Sequence, residues 1–153
     1  MDDIKVRDFR EGIIAVEERM KCMQGAVGPE FYPLKHDFAE GLYIRKISCP
    51  KGHLVVTKIH KCSHPFFMLK GEVSILTEDG VIRLKAPWYD ITKAGTKRVI
   101  YMHEDVEWVT VHATKETDIE EIEKEIIAKN YTEFDQLLDS QAASKLIEII
   151  KEN

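Results

Sequence analysis

The stretch Gly52–Gly71, GHLVVTKIHKCSHPFFMLKG, decides how this chain is read. It holds three of the six histidines, His53, His60 and His64. It also has the rhythm of two β-strands meeting at a tight corner. Side chains alternate faces along a strand with a period of two. Lys58 and His60 therefore share one face of their strand, and His64, Phe66 and Met68 share one face of the next. Imidazoles brought together this way can ligate a metal, cradle an anion or simply face water.

Working outward, short segments rich in Val, Ile, Tyr and Phe fill the middle of the chain: LYIRKISC, HLVVTKIH, FFMLKG, EVSILTE, VIRLKA, RVIYMH and EWVTVHA. Turn signals separate them at Pro50-Lys51-Gly52, Lys70-Gly71, Glu78-Asp79-Gly80, Ala94-Gly95 and Glu104-Asp105. Asp79-Gly80 is a strong hairpin signal. Many short strands at this spacing predict an antiparallel sandwich or barrel over residues 36–114. Before it, Ile4, Phe9, Ile13, Val16 and Met20 recur at helical intervals, so residues 1–25 read as a helical arm ended by Gly25, Gly28 and Pro29. After it, residues 117–153 read as a helical tail. Thr117 and Glu120 form a capping box ahead of the stripe Ile119, Ile122 and Ile126. Asn130 ends that helix, and Thr132 and Asp135 open a second with Leu138, Leu146 and Ile150 on its apolar side. The whole is expected to be one domain, 1–153.

Lys and Arg number 22 against 27 Asp and Glu, a formal charge of -5. That balance argues against binding a nucleic-acid polymer, which usually needs a basic face. The start, MDDIKVRDFREG, is too charged for a secretory leader, and no apolar run approaches membrane-spanning length. A cytoplasmic protein is expected, or one made in a host cell's cytoplasm. Cys22, Cys49 and Cys62 are odd in number and form no CxxC pair, so reduced thiols are expected. No P-loop, dinucleotide fingerprint, HExxH or GxSxG is present.

The central stretch resembles a cupin. The first cupin motif runs Gly, five residues, His, one residue, His, three or four residues, Glu, six residues, Gly. Gly52, Lys58, His60, His64 and Gly71 fall at those intervals. Lys58 stands at the first His, His60 at the second, and His64 at the Glu. In the second motif, with Gly95 as its glycine, Arg98 falls at the His. The chain is also similar in texture to small cupin-like proteins of tailed phages and prophages, through YPLKHDFAEGLYIRKI, KAGTKRVIYMHEDVEWVTVHA and the Ile/Glu-rich tail. The resemblance implies a jelly-roll barrel, mainly β, with a helix at the N-terminus and two at the C-terminus, and pairing into a homodimer. If the barrel is a cupin, the faces bearing Lys58, His60 and His64 point inward.

Three functions stay open. In one, Lys58, His60, His64, Arg98 and His112 bind a small anion carrying phosphate or carboxylate, and the chain binds or converts it. Trp88, Tyr101 or Phe66 would then stack on a sugar or base. In another, His60, His64 and His112 hold a divalent metal: zinc, iron, nickel or copper, with manganese also open. The cations Lys58 and Arg98 weigh against that. In the third the barrel is a scaffold whose helices mediate oligomerisation. On the last strand Trp108, Thr110 and His112 share a face opposite Val109 and Val111; both faces are partly apolar, so the pattern does not say which looks inward. His36, His53 and His103 read as surface loop or turn residues.

Overall fold

The computed structural model describes residues 3–152. Helix α1 (Asp3–Lys21) leads through a short 3-10 turn (Pro29–Phe31) into the strands. These are β1 (Leu34–Ala39), β2 (Leu42–Cys49), β3 (Leu54–Val56), β4 (Ile59–His60), β5 (His64–Lys70), β6 (Glu72–Thr77), β7 (Gly80–Lys85), β8 (Trp88–Thr92), β9 (Val99–Met102) and β10 (Val106–Ala113). Helix α2 (Ile119–Ile126), the short strand β11 (Ile127–Ala128) and helix α3 (Tyr131–Glu152) finish the chain. Among the described residues no helix is long and apolar enough to cross a membrane.

The strands pair by nesting. β2 pairs with β10, β3 with β9, β5 with β8 and β6 with β7, all antiparallel. This is one long hairpin rolled onto itself, the jelly roll. Its two sheets run β1-β2-β10-β5-β8 and β3-β9-β6-β7. The innermost hairpin turns at Glu78-Asp79, where Thr77 pairs with Gly80. Gly80 has φ +116°, which a side chain would resist, so Asp-Gly is the right turn chemistry. Between the sheets lies a core of Cys49, Phe66, Met68, Val73, Ile75, Ile100, Met102 and Val106. Val73 and Ile75 are fully covered. This core fills one end of the barrel and leaves the polar side chains to the other.

That other end is closed by the tail. Ile122 and Ile126 of α2 pack on Tyr43, while Tyr131 and Phe134 of α3 pack on Ile59 and Ala128. The α2 cap is Asp118, whose carboxylate accepts from the Glu121 N–H at 3.1 Å. The expected box one residue earlier gives way because Asp118 has the extended backbone an N-cap needs. Helix α2 stops at Ile126, before the expected Asn130, because the chain turns into β11 there; Asn130 instead caps α3, accepting from the Glu133 N–H at 2.8 Å. Helix α1 is tied on by Arg10, whose Nη1 donates to both Asp135 carboxylate oxygens at 2.9 and 3.0 Å, and by a sheltered Lys97–Glu17 pair at 2.7 Å.

Candidate functional site

The site is built by the two sheet strands that meet in the middle of the larger sheet, and by one short strand facing them. On β5, His64, Phe66 and Met68 are buried while Phe67 and Leu69 are exposed. Thr110 of β10 lies opposite Phe66, and Trp108 opposite Met68. The Trp108, Thr110 and His112 face is therefore the inner one, which settles the face that pattern left open. His60 enters from β4. Its strand is held on one side by β11, where Ile127 is paired with His60. On the other side the Gly95 N–H donates to the His60 carbonyl at 2.9 Å.

Three imidazoles converge here. Ring centroids are 4.2 Å apart for His60–His64, 4.5 Å for His64–His112 and 5.2 Å for His60–His112. One nitrogen from each lies within 4.8 Å of the others. His64 and His112 are each only 5% exposed. His64 donates its Nδ1–H to the Cys62 carbonyl at 3.2 Å, which leaves Nε2 with its lone pair free. His112 Nε2 shares a 2.9 Å hydrogen bond with Thr110 Oγ1, which leaves Nδ1 without a protein partner. Both arrangements are the backing that metal-ligating histidines commonly have.

Electrostatics keep the cluster neutral. Burial is the main cause of lowering for all three rings. His60 is pushed down to about 2 by burial, then by His64, His112, Arg45 and Lys58. His112 is pushed down to about 4 by burial, then by His64 and Arg45. His64 is lowered by burial and by Arg98, against the raising effect of its bond to the Cys62 carbonyl. At neutral pH these rings are lone-pair donors, not cations.

The expected cations part company. Arg98 lies inside, its guanidinium over the Phe66 ring at 5.6 Å from the centroid and 3.5 Å from Thr92 Oγ1. Burial works against its charge, and Asp90 supports it. Lys58 instead sits at the rim with its side chain 48% exposed, 3.5 Å from Glu123. The period-two argument that placed it beside His60 fails locally, because β3 ends at Val56 and β4 starts at Ile59. A cation that sequence reasoning missed takes the inner place: Arg45 of β2. It is in register with Thr110 of β10 and His36 of β1, on the face that also buries Tyr43 and Cys49. The signal was present in LYIRKISC, where Tyr43, Arg45, Ile47 and Cys49 share parity.

Three histidines expected at the surface are structural instead. His36 Nδ1 and the Tyr43 hydroxyl share a 2.6 Å hydrogen bond. His53 bonds the Tyr32 hydroxyl at 3.0 Å and stacks on Phe31. His103 bonds Ser74 Oγ at 2.7 Å. Each is half-buried, His36 within strand β1 beside Tyr43 and His53 and His103 at turns that pack against neighbouring segments. Among the aromatic residues expected to stack on a ligand, Phe66 is committed to Trp108 at 4.3 Å, and Tyr101 packs edge-on against His103 at 4.9 Å. Two surface clefts lie away from the three histidines, one of about 400 Å³ along Ser140 to Glu148 and one of about 540 Å³ beside Gly41, Thr114 and Glu125. Cys22 and Cys62 are exposed free thiols and Cys49 is a buried one, pushed up to about 11 by burial.

No family model matches the chain, and no curated protein matches it. Solved structures similar to it include a cupin-2 domain protein of Shewanella frigidimarina, at 10% identity, covering 65% of this chain and 92% of that one with a TM-score of 0.45. A cupin superfamily protein of Desulfitobacterium hafniense gives 14% identity, 61% and 85% coverage and a TM-score of 0.47. An acetylacetone dioxygenase of Acinetobacter johnsonii gives 14% identity, 60% and 73% coverage and a TM-score of 0.45. What makes this barrel a cupin-like jelly roll is the nested pairing of its own strands.

Proposed function

We propose that the chain is a divalent-metal protein whose barrel takes a small anionic ligand beside the metal. The observation that carries this reading is the convergence of His60, His64 and His112, each with a nitrogen inside 4.8 Å of the other two. Three neutral imidazoles, two buried and one half-buried, are poor donors to an anion but good donors to zinc, iron, nickel or copper. His64 Nε2 and His112 Nδ1 are the nitrogens their hydrogen bonds leave for it. A divalent ion held there would supply Lewis acidity, with coordination positions left for an exogenous ligand. The chain's own residues hold the rings neutral, fix two of them by hydrogen bonds and clamp His60 between β11 and Gly95.

The anionic ligand follows from charge. Arg98 faces the same interior, and no motif position supplies a carboxylate to offset it. A metal-free anion pocket built on Arg98, His60 and His64 is the second reading, favoured by that guanidinium. Thermal unfolding with and without added zinc, manganese or nickel separates the two. The metal reading expects a rise in Tm that His64→Ala removes. The metal-free reading expects no rise with any ion and a rise with phosphate or a carboxylate.

A further inference from the structure

Arg45 is the inner cation that the metal reading does not use. Among the described residues no carboxylate pairs with it, and its side chain makes no hydrogen bond. Yet Arg45 occupies a defined place. One cross-strand row of the larger sheet runs Arg45 on β2, Thr110 on β10, Phe66 on β5 and Asp90 on β8. The Arg98 guanidinium sits over Phe66 in the same row. Neighbours in such a row present their side chains to one face. Thr110, between the two arginines, is the hydrogen-bond partner of His112.

Arg45 thus stands on one side of Thr110 and the Arg98 guanidinium on the other, with Arg45 acting electrostatically on His60 and His112 and Arg98 on His64. Arg45 and Phe66 are two strand spacings apart, roughly 10 Å. Among the described residues neither arginine has an ion pair, and the three imidazoles bring no negative charge. A dication there would leave the interior strongly positive, and one carboxylate could answer only one side of it. Asp90 is exposed and supports only Arg98. An arginine prefers a carboxylate in a bidentate pair, and a single small monoanion cannot reach both forks.

We infer that the ligand of this site is a small dianion, a short dicarboxylate or its equivalent, with one end held by Arg45 and the other by Arg98 across the three imidazoles. This rests on the reading of the site as an anion-accepting interior, and it makes Arg45 a specificity-determining residue. A monocarboxylate of similar size forfeits one of the two forks. Its binding is weaker by about tenfold or more, the scale of one charge-assisted contact.

The test is calorimetric binding of succinate, malonate and acetate to the full chain, once after chelation and once after loading with zinc. The expected result is succinate or malonate binding at least about tenfold tighter than acetate, with Arg45→Gln and Arg98→Gln each reducing the dicarboxylates to the acetate level. Metal content, measured on the same variants, stays unchanged. Equal affinity for acetate and the dicarboxylates in the wild-type protein, or no binding of any, overturns the inference without needing a variant. Dicarboxylate binding that survives Arg45→Gln overturns the role of Arg45. Zinc uptake without dicarboxylate preference would remove this inference alone. Dicarboxylate preference in a chain that takes up no zinc would support it while removing the metal reading.

Discussion

His60 and His64 lie 4.2 Å apart between ring centroids although three residues of an exposed corner separate them in the chain. The corner carries the chain from β4 to β5 with both rings in contact, and His112 completes the group from β10. The proposed metal site stands on this geometry. His64→Ala removes the central ring, the one within 4.5 Å of both others. Zinc affinity measured by competition with a chromogenic chelator is expected to fall by at least about a hundredfold, while circular dichroism stays that of a folded β-protein.

Acid should destabilise the protein before it reaches the carboxylate range. His60 and His112 have folded pKa values of about 2 and about 4, below the unfolded value of 6.5. The unfolded chain therefore binds more protons as pH falls, so stability is complete above pH 6.5 and is lost below it. Between pH 6.5 and 4 both rings contribute, each proton at about 1.4 kcal/mol per pH unit. Urea unfolding at pH 7, 6 and 5 should show a falling midpoint, and a His60→Phe/His112→Phe variant should flatten the slope. An unchanged midpoint across that window would mean the rings are not held neutral.

Gly95 links the tail to the site. It has φ +81°, and an added Cβ would collide with the Phe134 ring. Its N–H holds the His60 carbonyl. Gly95→Ala is expected to cost about 2 kcal/mol through strain and lost packing, and to weaken metal uptake as His60 shifts. A substitution that lowers stability without touching metal affinity would separate the tail from the site.

Lys58 gives the contrasting case. Its pair with Glu123 is about half exposed at both ends. Pairs of this kind contribute roughly 0–1 kcal/mol. Lys58→Ala should leave chemical denaturation nearly unchanged and leave dicarboxylate binding intact. A large loss of ligand affinity would return Lys58 to the site.

The sequence carried the β-rich middle, the helical ends and the His60–His64 pair, because period-two alternation and turn residues are local properties. It carried less where the answer depends on tertiary pairing. Val109 and Val111 made the wrong face of β10 look equally apolar, and only register with Phe66 and Met68 decides between them. Arg45 sits beside Lys46 with no local mark to tell the two apart; its inward turn follows from the burial of Tyr43 and Cys49 on either side. Ile127 fell inside the helix expected to run on to Asn130, so its role as a strand beside His60 was invisible to periodicity. Lys58 shows the converse, where alternation was extended across a break in the strand.

The most direct measurement is elemental analysis of the protein purified without a metal-affinity tag and reconstituted with each candidate ion in turn. The account predicts about one divalent ion per chain, lost in each of His60→Ala, His64→Ala and His112→Ala. A folded wild-type protein that retains no ion after reconstitution, or variants that keep it, would contradict the account.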